Sequence, residues 1–600
     1  MASVNATPVA IVVLGASALG TARRIQALYS GAQVHALAGR AQADAAFSEL
    51  GPHLRDLYSR NVPIVAICAA GIVIRCIAPC LSDKSAEPPV LAVAEDGSAV
   101  VPLLGGHHGA NRLARVLAER LGARAAITTA SDLASSDALD DPPPGWRLAN
   151  PDGAKSIAAG LLAGAPVGLE IEAGDVAWLD PSRFVAGAKP AVRITHRPVA
   201  PDGDLILHPP VLALGVGSER GVADDALIAL VEATLAAHGL SALSIACVAS
   251  IDLKEDEPAV HALARHLGVP ARFFPAARLA AEAPRLLNPS DIVLRETGCP
   301  GVAEGAALAA AGAESSLIVP KTRAARTTCA VALTRRDIDP EAVGHARGSL
   351  AIVGIGPGDR ATRTQDAVAA LRAADELVGY GLYLDLIADL IGDKPRHETG
   401  LGAETQRVGR ALDLAAAGRR VALVSSGDAG IYGLATLAFE LLERSARADW
   451  RRVAVTVVPG VSALQTAAAR LGAPLGHDFC AISLSDLLTP WAVIERRLAA
   501  AAAADFVIAL YNPRSERRGW QLERARAIIA EHRAADTPVG VARNLGRAGE
   551  QVAVTSLGAL DPAQIDMLSL VLIGSSTTRS FDLADGPRLY TPRGYAEKSP

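Results

Sequence analysis

Six hundred residues exceed what one ordinary hydrophobic core organises, so three or four folding units are expected. Half the residues are hydrophobic, 20% are charged and the net charge is only −5, which argues against a disordered chain and against a nucleic-acid binder with its basic footprint. Aromatics are only 4%, and an apolar fraction rich in Ala, Val, Leu and Ile suits α/β units with buried parallel strands.

No charged n-region precedes the first strand-like run, and that run is short, so neither an export signal nor a membrane span is expected. The seven cysteines are scattered, and no second pair joins Cys76 and Cys80 into a zinc set. They read as reduced thiols of a cytoplasmic protein.

In chain order, residues 9–14 form a strand and Gly15 to Gly20 open a helix, but the glycine spacing does not match a dinucleotide fingerprint. Further chemistry-bearing turns follow: Gly71-Ile72-Val73-Ile74-Arg75, Asp83-Lys84, Gly105-Gly106-His107-His108-Gly109-Ala110-Asn111, and Thr128-Thr129-Ala130-Ser131-Asp132. Three consecutive prolines, Pro142 to Pro144, mark a break across residues 133–150. A second Pro/Asp-rich break covers 196–210 and precedes a strand at 211–215. Next come Leu214-Gly215-Val216-Gly217-Ser218, then Glu304-Gly305 and Val319-Pro320-Lys321-Thr322-Arg323, with Thr327 and Thr328 close behind. The polar stretch 335–347 leads into a fresh buried strand at 349–354.

That strand runs into Gly354-Ile355-Gly356-Pro357-Gly358-Asp359 and then a helical pattern over 364–373. Pro357 presets φ and Gly358 accepts positive φ, so a tight turn is expected. The same logic recurs twice, at Ser425-Ser426-Gly427-Asp428-Ala429-Gly430-Ile431 and at Pro459-Gly460-Val461-Ser462-Ala463. Three strands ending in small-residue turns should gather their carboxyl ends around one crevice, where open α/β sheets bind ligands. The first turn lacks the Gly-Lys-Ser/Thr of a nucleotide-phosphate loop, which counts against a phosphate-binding protein. The alanine run 499–504 fits a helix by propensity alone. The segment after Arg579, rich in Pro, Gly and charge, is expected to be loose.

Taken in order, these turns with the later ISLSD, LYNPRS and ARNLGRAGE segments resemble the tetrapyrrole methylase family, within it the precorrin-3B C(17)-methyltransferase group, over residues 349–580. The resemblance implies two α/β lobes with S-adenosyl-L-methionine between them as co-substrate, a polycarboxylate tetrapyrrole substrate, ring contraction and a homodimer. Carried over by motif, the cofactor contacts are Pro357 and Asp359 in the first turn and Ser426, Gly427, Asp428 and Ile431 in the second. Ser462 and Ala463 belong to the third, and Tyr511 and Leu545 come from the second lobe. Asp359 would orient groups or simply cap a helix. For ring contraction, Asp486, Tyr511 and Arg543 are candidates by motif position. Arg514, Arg517, Arg518, Arg543 and Arg547 could fork onto substrate carboxylates.

Residues 8–333 similarly resemble cobalt-precorrin-5A hydrolase, with an N-terminal domain over 1–132, a middle region over 133–209 and a C-terminal domain over 210–334. A linker (335–348) and a tail (581–600) complete the layout. The implied chemistry is lactone opening with release of acetaldehyde, which needs a base for water and donors for an oxyanion. His107 or His108 would be the base, with Arg75, Lys84 and Asn111 as partners and no metal. Lys321 and Arg323 look like anion contacts. The expected fold class is therefore multidomain α/β, a two-lobed methylase fold preceded by hydrolase-type α/β domains. The competing reading makes the N-terminal half a non-catalytic module that holds a corrinoid intermediate.

Overall fold

The computed structural model describes residues 9–29, 31–81, 87–106, 109–128, 139–140, 142–400, 402–515 and 519–595. The chain divides into two compact units, Met1–Arg347 and Gly348–Pro600. Among the described residues no helix is long and apolar enough to cross a membrane.

Among its described residues the first unit contains three sheets. The first is seven-stranded and centres on the parallel, fully buried strands Ala10–Val13 and Ile64–Ile67. Its continuous apolar runs are what burial on both faces demands. A four-stranded sheet follows, ordered Arg147–Leu148, Leu205–His208, Ala191–Ile194, Gly168–Ile171. Leu205–His208 lies inside the Pro/Asp-rich stretch read as a break; its four residues, Leu-Ile-Leu-His, are all buried, and the prolines only bracket it.

The third sheet has five strands, with Leu212–Ser218 between Ile245–Ile251 and Thr327–Leu333. Helix Val302–Ala311 crosses it with nearly every residue buried. A side chain at Gly215 would sit 1.9 Å from the Ala303 carbonyl, so only glycine allows this approach. The segment 335–347, expected to link domains, instead packs back on this sheet. Ile338 is buried, Phe273 and His345 exchange backbone hydrogen bonds, and Arg272 donates to the carbonyls of Val343 and Gly344.

The second unit opens with a five-stranded parallel sheet ordered Arg396–Thr399, Glu376–Tyr380, Arg420–Ser425, Ser349–Gly354, Ala454–Val458. The helical pattern after the first turn is helix Gln365–Ala373, capped by the Thr364 side chain. A second lobe carries Phe479–Ser483 and Val507–Tyr511 in parallel, then Ser569–Ile573, Pro538–Arg543 and Gln551–Ser556 antiparallel. The alanine run lies in helix Trp491–Ala503 and its cap.

The C-terminal segment departs from expectation. Arg579–Leu583 and Gly586–Tyr590 form a hairpin that pairs with Gly472–Ala473. Leu589 is 1% exposed and packs with Leu464 and Leu471, while Thr591 donates to the Pro474 carbonyl. One inward leucine outweighs the loop-like composition around it.

Candidate functional site

The strand Ser349–Gly354 lies between Arg420–Ser425 and Ala454–Val458, so the three glycine turns leave adjacent carboxyl ends. They are bonded to one another. Gly356 and Gly427 exchange both backbone hydrogen bonds, at 3.1 and 2.8 Å. The Asp428 carboxylate accepts from Gly430 N–H at 2.8 Å within its own turn and from Gly460 N–H at 3.1 Å in the third. A Cβ at Gly460 would stand 2.1 Å from the Gly427 carbonyl, so main chain touches main chain there. On its other side the second turn is less crowded, since a Cβ at Gly427 would meet only Ala463 N, in ordinary van der Waals contact at 3.8 Å.

Ser462 closes the third turn as the N-cap of helix Ala463–Leu471 in a reciprocal capping box with Gln465. The Tyr511 hydroxyl, from the second lobe, accepts from Leu464 N–H at 3.1 Å. Burial pushes its ionisation up, so it stays a neutral phenol. Leu545 is buried in the same cluster, with Ala463 and Tyr511 packed against it. Ile431 remains 39% exposed beside Tyr432, which is 54% exposed, holds a φ of 51° and donates its hydroxyl to the Ala481 carbonyl. The Tyr432 and Tyr511 rings lie 5.1 Å apart. Asp359 caps the turn Arg360–Thr362 through Ala361 N–H, the structural role weighed for it.

Other residues singled out from sequence sit differently. Arg543 pairs with Asp566 at 2.6 Å, and Arg514 donates to the Pro562 carbonyl at 2.9 Å. Burial would raise the Asp566 carboxyl, but bonds from Arg543, Ser569 and Leu568 N–H outweigh it and hold it low. Asp486 accepts from Gln521 at 3.2 Å. Arg547, expected to reach for substrate, instead donates to the Pro357 carbonyl at 2.9 Å and to Ser426 Oγ at 3.0 Å. Arg517 and Arg518 lie outside the described residues. Tyr432 directly follows the second turn, and its positive φ is visible only in the structure.

In the first unit His107, His108, Lys84 and residues 129–132 lie outside the described residues. Asn111 is buried in the first turn of helix Ala110–Leu121, and Arg75 donates to Gly71 within its own helix. Glu304 is 1% exposed and accepts from Leu287 N–H, Asn288 N–H, Asn288 Nδ2 and Lys321 N–H, all within 3.0 Å. Burial alone would raise its pKa, but these donors outweigh it and the carboxyl is held below the ordinary glutamate value. Lys321 Nζ donates to the Asn288 carbonyl.

Comparison with known proteins matches residues 349–561 to the tetrapyrrole (corrin/porphyrin) methylases. A Salmonella typhimurium protein named probable cobalt-factor III C(17)-methyltransferase is 50% identical over 246 residues, which is 41% of this chain and 99% of that protein. The chain belongs to the tetrapyrrole methylase family. A second relative of this methylase, a Sinorhizobium precorrin-3B C(17)-methyltransferase, is 46% identical over 42% of the chain and 99% of its own length. Among solved structures, the methyltransferase CobJ is 39% identical, with 41% of this chain and all of CobJ covered and a TM-score of 0.39. Upstream of the methylase region, residues 52–132 match the cobalamin synthesis G N-terminal family and 212–332 the cobalamin synthesis G C-terminus. The fold class is mixed α/β with several domains, as the sequence indicates.

Proposed function

We propose that this chain is a bifunctional enzyme of cobalamin biosynthesis. Its second unit transfers the methyl group of S-adenosyl-L-methionine to C(17) of precorrin-3B or its cobalt form, with ring contraction. The observation that carries this reading is the mutual bonding of the three turns, first to second through the Gly356–Gly427 backbone pair and second to third through Asp428, where a Cβ at Gly427 would meet only Ala463 N within 4 Å. The names of the relatives covered almost end to end point the same way.

Pro357, Asp359, Ser426, Gly427, Asp428, Ile431, Ser462 and Ala463 would line the cofactor, with Tyr511 and Leu545 closing from the second lobe. Their small side chains and fixed main chain suit a nucleoside that must be approached closely. The sulfonium methyl comes already activated, so the protein's task is alignment with the macrocycle carbon and exclusion of water. Such positioning can supply about 7–11 kcal/mol. The neutral Tyr511 phenol and the apolar Leu545 keep the second wall dry. Arg543, its charge held in place by Asp566, and Asp486 are assigned to the ring-contraction step.

For the first unit we assign lactone hydrolysis of cobalt-precorrin-5A, with His107 or His108 activating water and Asn111 as an oxyanion partner. The two cobalamin synthesis G matches support this assignment. The full chain, incubated with S-adenosyl-L-methionine and either metal-free or cobalt-loaded substrate, should add one methyl mass and change the absorbance of the macrocycle. No mass gain with either substrate would overturn the methyltransferase reading. Released acetaldehyde from the lactone intermediate supports the hydrolase, and tight binding without release replaces it with a holding module. A homodimer belongs to the same reading, and light scattering checks it.

A further inference from the structure

The loop 544–550 leaves the second lobe and touches the first and second turns and the helix that follows the third. Glu550 shapes it, accepting from Gly546 N–H at 2.6 Å and from Arg470 Nε at 2.8 Å on helix Ala463–Leu471. The main chain of the loop lies against the first turn: a Cβ at Gly546 would stand 2.8 Å from Asp359 N, and one at Gly358 2.6 Å from Arg547 Cγ. From this loop the Arg547 guanidinium spans two turns at once. Nε donates to the Pro357 carbonyl and Nη2 to Ser426 Oγ, with the group 5.9 Å from the centre of the Tyr383 ring.

We propose that Arg547 is a positioning residue that clamps the first and second turns to the second lobe, so that adenosyl-ligand affinity, and not recognition of tetrapyrrole carboxylates, depends on it. The proposal rests on the methyltransferase reading above. A planar fork is needed because its two acceptors lie on different turns, and a lysine can serve them only as a point charge. Two of the guanidinium's donors, on Nε and Nη2, are committed to the protein, which takes up its side-on fork for a carboxylate.

The test uses the full chain, with S-adenosylhomocysteine as probe in calorimetry and steady-state kinetics for both substrates. Arg547→Met should weaken S-adenosylhomocysteine by about tenfold to a hundredfold, the range expected when hydrogen bonds from a charged group are lost. The KM for S-adenosyl-L-methionine should rise in step, while the KM for the tetrapyrrole holds. Arg547→Lys should recover only part of the affinity. Ser426→Ala should cost severalfold alone and add little on top of Arg547→Met, because both remove one shared contact. Unchanged S-adenosylhomocysteine affinity with a raised tetrapyrrole KM in Arg547→Met would overturn the proposal. If that variant does not fold, unchanged affinity in Ser426→Ala overturns it equally. A wild-type chain that binds no S-adenosylhomocysteine defeats the underlying methyltransferase reading itself.

Discussion

Asp428 concentrates the argument at the level of single side chains. Its two oxygens serve two different turns, so its loss frees the Gly430 and Gly460 N–H groups together. Asp428→Leu should therefore abolish measurable S-adenosylhomocysteine binding while the far-ultraviolet circular dichroism remains native; wild-type affinity in that variant would contradict the placement of the second turn. Glu304 plays a comparable part in the first unit, satisfying four donors from a buried position. Its folded pKa lies below the unfolded one. Its contribution to stability is thus full above the ordinary glutamate range and is lost as pH falls through the depressed value. Glu304→Ala should destabilise the first unit by about 3 kcal/mol or more, since each stranded buried donor costs about 1–3 kcal/mol. Thermal melts of wild type and variant should converge in acid, and parallel pH profiles would argue against this role.

Among the secondary elements, the C-terminal hairpin gives the sharpest test. Truncation of a buried leucine to alanine costs about 2–5 kcal/mol, so Leu589→Ala should lower the denaturant midpoint of the second unit. An unchanged midpoint would mean the hairpin is dispensable. The same hairpin shows why some elements were legible in sequence and others were not. The strands Ser349–Gly354 and Arg420–Ser425 declared themselves because buried parallel strands are continuous apolar runs, here closed by glycine turns, and the part-exposed edge strand Ala454–Val458 still reads as an apolar run before Pro459-Gly460. Leu589 sits alone among Pro, Gly and charged neighbours, and its burial depends on Leu464 and Leu471, more than a hundred residues earlier. Arg547 was visible as a cation, but its acceptors are a carbonyl and a hydroxyl in distant turns, which no local pattern encodes. The Asp359 cap, by contrast, is a local bond two residues long, and was foreseeable as such.

Across the whole molecule, two compact units carry the two assigned chemistries. On the proposed division of labour, His107→Ala and His108→Ala should leave methyl transfer at wild-type rate, as measured by mass gain of the corrinoid product. A fall in that rate would show that the halves do not work independently. The gathering of the three turns was readable in advance because each follows a strand of one parallel sheet; the clamp from the second lobe was not, since it needs the return of the chain after nearly two hundred residues.

The path of residues 335–347 sets where the protein can be divided. Asp337 takes the Trp146 indole N–H at 2.5 Å and the Asp175 N–H at 3.0 Å, and Arg272 finds its carbonyls in the same stretch. A stop codon after residue 334 would strand an indole, a guanidinium and the cover over Ile338's neighbours, and the resulting fragment would misreport its own activity. A scission between Arg347 and Gly348 severs none of these ties, so expression of the halves as separate polypeptides should begin there.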